Sequence, residues 1–427
     1  LCWGGAVLSL LLIVGVATVP VCALLWTFYL SIATAGQEFM EFQWDILLLE
    51  AGFLAIFLAP GGFWNGLKLR APHRIVVWLF GWLVFRLMFE SGMVKLVSGD
   101  PSWRHFTALS YHYETQPLPT PLAWWFHHAP HGFQTASAVG ILAIEVGAPF
   151  LILGPRRLRH FACFAFCGLQ LLILLTGNYG FFNLLTIALT LTLLDDGFWP
   201  ESWKARLRAG DDDETLDSGA PAQPRASRWP GPLIWPVAAV IVALSTAGLI
   251  NVLRIDVDWP EWVQTAYGRA AAFRSVNSYG LFAVMTTDRD EVVVEGSNDG
   301  VNWLQYGFKF KPGDPNRAPP FVAPHMPRLD WQMWFAALGD YRQQRWFLRF
   351  CGRIMEGSPE VLALLDRNPF GDKPPRYLRA VLYHYAFSDP ETSRRNGAWW
   401  RREPLRLYAP VMRFAEKPSP PRKPARH

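Results

Sequence analysis

Arg86 to Pro119, RLMFESGMVKLVSGDPSWRHFTALSYHYETQPLP, is the stretch on which the reading of this chain turns. It runs out of an apolar segment that carries three charges of mixed sign, Arg86, Glu90 and Lys95. A charged side chain at mid-bilayer costs roughly 3 kcal/mol on insertion scales, so a span that keeps several must pair them, snorkel them to an interface or use them. Arg86 and Glu90 are spaced to share a helix face and pair. Lys95 stands near the end of the run, where it either snorkels or pairs with Glu90. Glu50 and Glu145 are lone carboxylates in two other apolar runs and need a donor from a neighbouring helix or a water-filled cavity. Arg86 supplies that donor, so an interior polar cluster of Glu50, Arg86, Glu90 and Glu145 is expected. The segment that follows, SWRHFTALSYHYETQPLP, is too polar and aromatic for an idle loop.

The composition points the same way: 427 residues, 51% of them hydrophobic, with 21 Trp and 30 Phe. The apolar residues are bunched into runs of about the 20 residues that cross a bilayer as helix. Candidate spans are 1–16, 19–34, 44–60, 74–96, 134–153, 158–176, 179–194 and 233–253, about seven or eight in all. Residues 1–34 are too long for one span, and Pro20 marks a helix start after a tight turn; a single long tilted helix is the alternative. Because Leu1 already lies in an apolar run, the first span is expected to be truncated. Loop charge orients the set. Lys68, Arg70 and Arg74, then Arg156, Arg157 and Arg159, then Lys204, Arg206, Arg208, Arg225 and Arg228 fall on one side in alternation, whereas 35–45 holds only acids. With the basic side cytoplasmic, 97–133 and everything after 254 are exoplasmic. The charged, proline-rich stretch 209–232, within the cytoplasmic loop 195–232, reads as a disordered linker.

Beyond the last span the texture changes. Leu281 to Thr286 and Glu291 to Glu295 have strand character, and Ser297-Asn298-Asp299-Gly300 supplies a turn before Val301 to Phe310, which predicts a β-hairpin. Helical spacing follows over Asp330 to Leu338 and Trp346 to Asp366, then a final strand over Arg376 to Phe387 and a basic, proline-rich tail. The expected architecture is a polytopic α-helical membrane protein, domain 1–254, with a C-terminal α+β soluble domain, 255–427, that contains the hairpin.

Five runs in order carry a resemblance: EFQWDILLLEAGFLAIFLAP (41–60), WRHFTALSYHYETQPLPTPLAWWFHHAP (103–130), NSYGLFAV (277–284), KPGDPNRAPPFVAPHMPRLDWQMWFAAL (311–338) and NPFGDKPPRYLRAVLYHYAF (368–387). They resemble the lipase maturation factor family over nearly the whole chain. The resemblance implies a multi-pass membrane protein, of the endoplasmic reticulum in animals, that assists the folding of dimeric secreted lipases such as lipoprotein lipase, a chaperone rather than an enzyme. Two features depart from the animal pattern. The chain has no N-x-S/T sequon, and of its five cysteines only Cys351 lies outside the apolar spans, which argues against thiol exchange and toward a bacterial inner-membrane member. A second similarity, of the Gly92 to Trp103 segment with the lysine-bearing segment of vitamin K-dependent carboxylases, offers the alternative: a membrane enzyme acting on a lipid-soluble substrate with Lys95 as base.

The partner surface is expected in the polar and aromatic motifs, at Trp103, Arg104, His112, Tyr113, Glu114, Thr115, Gln116, Arg328, Asp330, Trp331 and Trp334. The aromatics Trp124, Trp125, Phe126, Trp331, Trp334 and Phe335 form either an interfacial belt or an adhesive client surface. His127, His128 and His131 lack an acidic partner at ligand spacing, so neither a metal nor a cofactor is expected. The net charge of +5 is accounted for by cytoplasmic loops and an Arg-rich tail, and nucleic acid is not a partner. No Walker loop, dinucleotide fingerprint, GxSxG elbow or HExxH is present, which removes the common enzyme classes.

Overall fold

The computed structural model describes residues 1–64, 72–208 and 229–413. In chain order the helices are α1 (Cys2–Ile13), α2 (Thr18–Gly36), α3 (Gln43–Leu58), α4 (Arg74–Val97), α5 (Pro101–Arg104), α6 (Ala108–Thr115), α7 (Pro121–His127), α8 (His131–Leu142), α9 (Arg156–Thr176), α10 (Phe182–Thr190), α11 (Glu201–Arg208), α12 (Gly231–Val252) and α13 (Glu261–Ala272). There follow β1 (Arg289–Ser297), β2 (Leu304–Gln305), β3 (Gly307–Phe308), α14 (Arg328–Ala337), α15 (Arg345–Met355), α16 (Pro359–Leu362), β4 (Leu365–Arg367), β5 (Tyr377–Phe387), α17 (Pro390–Asn396) and β6 (Trp400–Arg413). The chain is a membrane protein with a helical N-terminal region and a C-terminal region built on antiparallel sheet.

The described residues form two compact units. The first comprises Leu1–Ser110, Pro130–Leu175 and Tyr179–Met285; the second comprises Tyr111–Ala129, Thr176–Asn178 and the chain from Thr286. Neither follows the sequence boundary at 254. Residues 255–285 belong to the helical unit, and two short segments between spans belong to the other.

In the helical unit, each of the eight apolar runs is a helix. Five are long and apolar enough to cross a membrane: Thr18–Met40, Arg74–Val97, His131–Leu153, Arg156–Thr176 and Gly231–Val252. Cys2–Ile13 and Phe182–Leu193 are shorter, and α3 has 16 residues and carries Asp45 and Glu50. The split of residues 1–34 falls at Gly15 and Ala17, both at positive φ, shortly before Pro20. The span from His131 is irregular: α8 passes into a π-helical turn at Ala143–Gly147 and then a 3-10 segment to Leu153 that begins beside Pro149. After α4 the chain turns at Gly99, φ 80°, and Asp100 caps α5, its Oδ1 accepting from Ser102 N at 2.7 Å with Pro101 at the first helical position. The expected strand at Leu281 to Thr286 is not formed. That segment is irregular because its backbone groups meet side chains rather than a neighbouring strand; Met285 N, for one, donates to Asp100 Oδ2 at 3.0 Å. The expected linker over 209–228 and the end of the tail, 414–427, lie outside the described residues.

The second unit contains a sheet in the order β2-β1-β5-β6, all antiparallel. The hairpin turn at 297–300 is present, but β2 is only two residues long, and β1 pairs chiefly with β5, Arg289 opposite Tyr385 through Ser297 opposite Tyr377. The strand Tyr377–Phe387 is not the last: β6 runs on through what the sequence suggests is tail, despite Pro404 and Pro410, which an edge strand tolerates. β1 is buried on both faces. One face carries Val292 and Val294; the other carries Arg289, Glu291 and Glu295, so charge is enclosed where a half-exposed strand would have shown it to water. Arg289 makes that possible. It donates to the carbonyls of Glu114 (2.6 Å), Gln116 and Pro117 (2.9 Å), pairs with Glu291 at 2.7 Å and faces the Trp400 ring at 5.2 Å; Lys311 closes on Glu291 at 2.8 Å. Three backbone carbonyls of segment 114–117 are therefore held by one guanidinium.

Replacing Arg289 by Met leaves three buried carbonyls without their donor and Glu291 with Lys311 alone, at a cost of about 3 kcal/mol or more. Cys351, fully buried in α15, reports it: its alkylation under mild denaturant should be fast in Arg289→Met and slow in the parent. Equal rates would show that the network is dispensable.

Candidate functional site

The helical unit encloses two groups of charge on α4. In the first, Arg86, 1% exposed, pairs with Glu50 of α3, lies 4.0 Å from Glu90 one turn along, and donates to the Asn277 carbonyl at 2.8 Å. Glu50 Oε2 also accepts from Asn277 N (2.9 Å), Asn277 Nδ2 (3.1 Å) and Tyr279 OH (2.8 Å). Glu90 Oε2 accepts from Tyr279 N at 2.6 Å, and Gln43 exchanges two hydrogen bonds with Gly280. Segment 277–280 is thus bound by its backbone to side chains of α3 and α4. It comes close: a Cβ at Gly280, φ 158°, would stand 2.7 Å from Val94.

In the second group, Lys95 Nζ donates to Glu145 Oε2 at 2.6 Å and to the Ser91 carbonyl at 2.9 Å and lies 5.4 Å from the Trp103 ring. Glu145 projects from the π-helical turn, a distortion that recurs at functional sites. Gly92 lets that turn approach α4, since a Cβ there would meet Glu145 Cβ at 2.9 Å. Trp103 is fixed by its indole N–H to the Phe282 carbonyl, 2.9 Å.

The expected interior cluster is therefore divided. Glu50, Arg86 and Glu90 come together, whereas Glu145 takes Lys95. Lys95 neither snorkels nor pairs with Glu90. Its ammonium is buried among acceptors and an aromatic face.

The expected partner surface is mostly interior. Trp103, Tyr113, Thr115, Gln116, Asp330, Trp331 and Trp334 are buried; Arg104 is exposed, and His112, Glu114 and Arg328 are partly so. Their polar atoms serve the fold: Trp334 Nε1 donates to the Thr115 carbonyl (2.8 Å), Gln116 Nε2 to the Thr176 carbonyl (2.9 Å), and Asp330 accepts from Phe310 N and Lys311 N, both 2.9 Å. Trp124 is also buried and donates to the Ser388 carbonyl at 3.0 Å, leaving Trp125 and Phe335 as the exposed aromatics of the six named for a belt or a client surface. Glu114 Oε2 accepts from Phe387 N at 3.0 Å and stands 3.3 Å from His127 Nε2. Desolvation raises the Glu114 carboxyl above its ordinary value and, with His128 beside it, lowers His127 to about 4. Among the described residues no group of three or more His, Cys, Asp or Glu is placed to hold a metal.

Sequence reasoning missed Asn178, Asn277, Tyr279, Arg289 and Lys311. Asn277 and Tyr279 lie in a motif already singled out, NSYGLFAV, just ahead of the strand expected from Leu281. Asn178 stands alone between two apolar runs, where an amide ties loops together: its Nδ2 donates to the carbonyls of Leu118, Pro119 and Pro320, and its Oδ1 accepts from Val322 N and Ala323 N.

Two family profiles match the chain in order, the lipase maturation factor transmembrane domain over residues 1–201 and the lipase maturation factor C-terminal domain over residues 275–410. The chain belongs to the lipase maturation factor family. Lipase maturation factor 2 of Gallus gallus is 37% identical over 506 aligned positions, covering 96% of this chain and 71% of that protein. Lipase maturation factor 2 of Homo sapiens is 36% identical over 504, covering 92% and 69%. Lipase maturation factor 1 of Mus musculus is 35% identical over 430, covering 97% and 73%. No solved structure matches the chain. The match to this family's C-terminal domain begins at residue 275, so it takes in the segment docked on Glu50 and Glu90.

Removing one member of a buried pair strands the other at a cost of about 3–5 kcal/mol, so Arg86→Ala should lower the yield and thermal midpoint of folded protein. A chain ended after Arg254 should fail in the same way, because it lacks Asn277 and Tyr279. Either variant accumulating and melting like the parent would refute the docking role of the cluster.

Proposed function

We propose that this chain is a membrane-bound maturation factor for secreted proteins whose clients are lipases, dimeric ones such as lipoprotein lipase among them, and that it acts by assisting folding rather than by catalysis. The observation that carries this is the ordered match of both family profiles, with relatives named lipase maturation factors at 35–37% identity across more than nine-tenths of the chain. The second unit is the client-facing part. Residues 111–129, 176–178 and 286–413 fall in one compact body, which supports placing them on one side of the membrane. Arg156, Arg157 and Arg159 follow one crossing, at the start of α9, and the basic stretch between Leu193 and Gly231 follows another. By the positive-inside rule both are cytoplasmic and the second unit is exoplasmic, lumenal in the endoplasmic reticulum of a eukaryote and periplasmic in a bacterium. The engagement of Lys95 by Glu145 favours this reading over a lysine base.

Two measurements test it. Val301, 78% exposed on the hairpin turn, is replaced by Cys, and the cysteine should react with an impermeant maleimide from the exoplasmic side; reaction from the cytoplasmic side alone reverses the orientation. In a host lacking the gene, the parent chain should raise the ratio of lipase activity to secreted lipase protein, and Lys95→Arg, which keeps the ion pair with Glu145, should retain most of that effect. A general base is worth about a hundredfold or more, so loss of the effect in Lys95→Arg at normal protein level would establish the enzymatic alternative.

A further inference from the structure

The outer face of α15 carries two arginines, Arg345 and Arg349, that the fold does not pair among the described residues. Trp346, Phe347, Phe350, Cys351, Ile354 and Met355 turn inward, leaving Arg345, Leu348, Arg349, Gly352 and Arg353 on the outside. Arg353 pairs with Glu356 at 2.8 Å, and Arg342, just before the helix, lies 4.0 Å from Asp340 and over the Tyr341 ring. Among the described residues Arg345 and Arg349 have no ion pair, and α15 contains no acidic residue. Like charges at i, i+4 and i+8 weaken a helix unless something neutralises them. A surface helix that served only solubility would interleave glutamates. Arginine rather than lysine at all three places suits bidentate recognition of carboxylate, phosphate or sulfate. The face is also open: a Cβ on Gly352 would meet no heavy atom within 4 Å, and Leu348, 39% exposed, adds apolar surface between the two unpaired arginines.

The spacing selects among anions. Residues four apart on a helix are separated by about 6 Å along its axis. Alternate side chains of an extended polypeptide lie on one side about 6.6–6.8 Å apart. Two carboxylates at alternate positions of an unfolded strand therefore meet Arg345 and Arg349 in turn, with Arg353, held by Glu356, one turn further on. We propose that the outer face of α15 is a docking strip for extended acidic segments of a client polypeptide that has not yet folded. This rests on the maturation reading above and gives it a recognition chemistry: such segments become paired, and lose access to the strip, once the client's own sheet forms.

The test uses the full chain in non-ionic detergent and a fluorescent peptide of alternating Glu and Thr, with a Gln-Thr peptide as control, read by anisotropy. The Glu peptide should bind, more weakly as salt is raised, and the Gln peptide should not. Arg345→Glu with Arg349→Glu should weaken binding about tenfold or more. Arg345→Lys with Arg349→Lys should weaken it less, since charge is kept and the fork lost. Slow alkylation of Cys351 on the inner face certifies that α15 is folded; should the double glutamate variant fail that check, Gly352→Glu, which places a negative charge in open space on the same face, should weaken binding in its stead. The proposal is overturned if the Glu peptide binds folded charge-reversed protein as tightly as the parent, if the Gln peptide binds equally, or if the parent ignores both peptides and instead binds sulfated oligosaccharide or phosphatidylglycerol vesicles. A parent that raises lipase activity per lipase without binding the peptide loses the strip and keeps the function; one that binds the peptide without effect on lipase does the reverse.

Discussion

An arginine buried in an apolar helical core cannot be left without carboxylates, and the helical unit is arranged around meeting that requirement. Arg86 sits in the middle of a 24-residue span at 1% exposure. Its own helix supplies Glu90, but at 4.0 Å that contact is too long to satisfy a desolvated guanidinium. The rest comes from Glu50 of α3 and from the backbone of Asn277. Each helper then has hydrogen-bonding needs of its own, and the hydroxyl and amide of Tyr279 and the amide of Asn277 meet them. Removing charge from water thus fixes the path of a stretch of chain that forms neither helix nor strand.

The second unit repeats the device with different residues. Arg289 lies on a strand buried on both faces, where a cation is tolerable only if enclosed by acceptors. Three carbonyls of segment 114–117 and the Glu291 carboxylate provide them, with Lys311 balancing the charge. In both units a buried guanidinium recruits backbone carbonyls from a segment remote in sequence, and the specificity of the fold is carried by polar contacts inside a largely apolar protein. That leaves little of the polar motif sequence free to face a partner, and Arg345 and Arg349 of α15, which have no ion pair among the described residues, stand apart from it.

What the sequence made legible were features with a period or a length. Every apolar run became a helix, the turn at 297–300 formed, and α14 and β5 lie close to where spacing put them; the helix expected over Trp346 to Asp366 instead ends at Met355, before Gly357 at φ 69°, and 365–367 is strand β4. Charges in spans announced themselves by their cost, and Glu50, Arg86 and Glu90 do meet. Partner choice was not legible: Glu145 goes to Lys95 because a π-helical turn and Gly92 bring it there, and neither has a periodic signature. Exposure was misjudged in one direction. Trp103, Trp331 and Trp334 look adhesive in sequence, yet each is enclosed, since a polar, aromatic stretch reads alike whether its polar groups face water or bind neighbouring backbone. β6 was hidden by its arginines and prolines, residues that an edge strand accepts.

In the frame that Arg86 and its partners give, the helical core grips the stretch of chain that follows its last span. A double-mutant cycle on Glu50 and Arg86 tests that frame most directly. Glu50→Gln, Arg86→Met and the combination are compared with the parent in a background lacking Cys2, Cys167 and Cys351, using a thiol-reactive dye to follow exposure of Cys22 and Cys163, both buried in the helical unit. The account predicts that each single change lowers the midpoint sharply and that the double variant loses less than the sum, with an interaction energy of about 0.5–3 kcal/mol. Additivity within about 0.5 kcal/mol would contradict it, and would mean that the buried pair does not hold the fold.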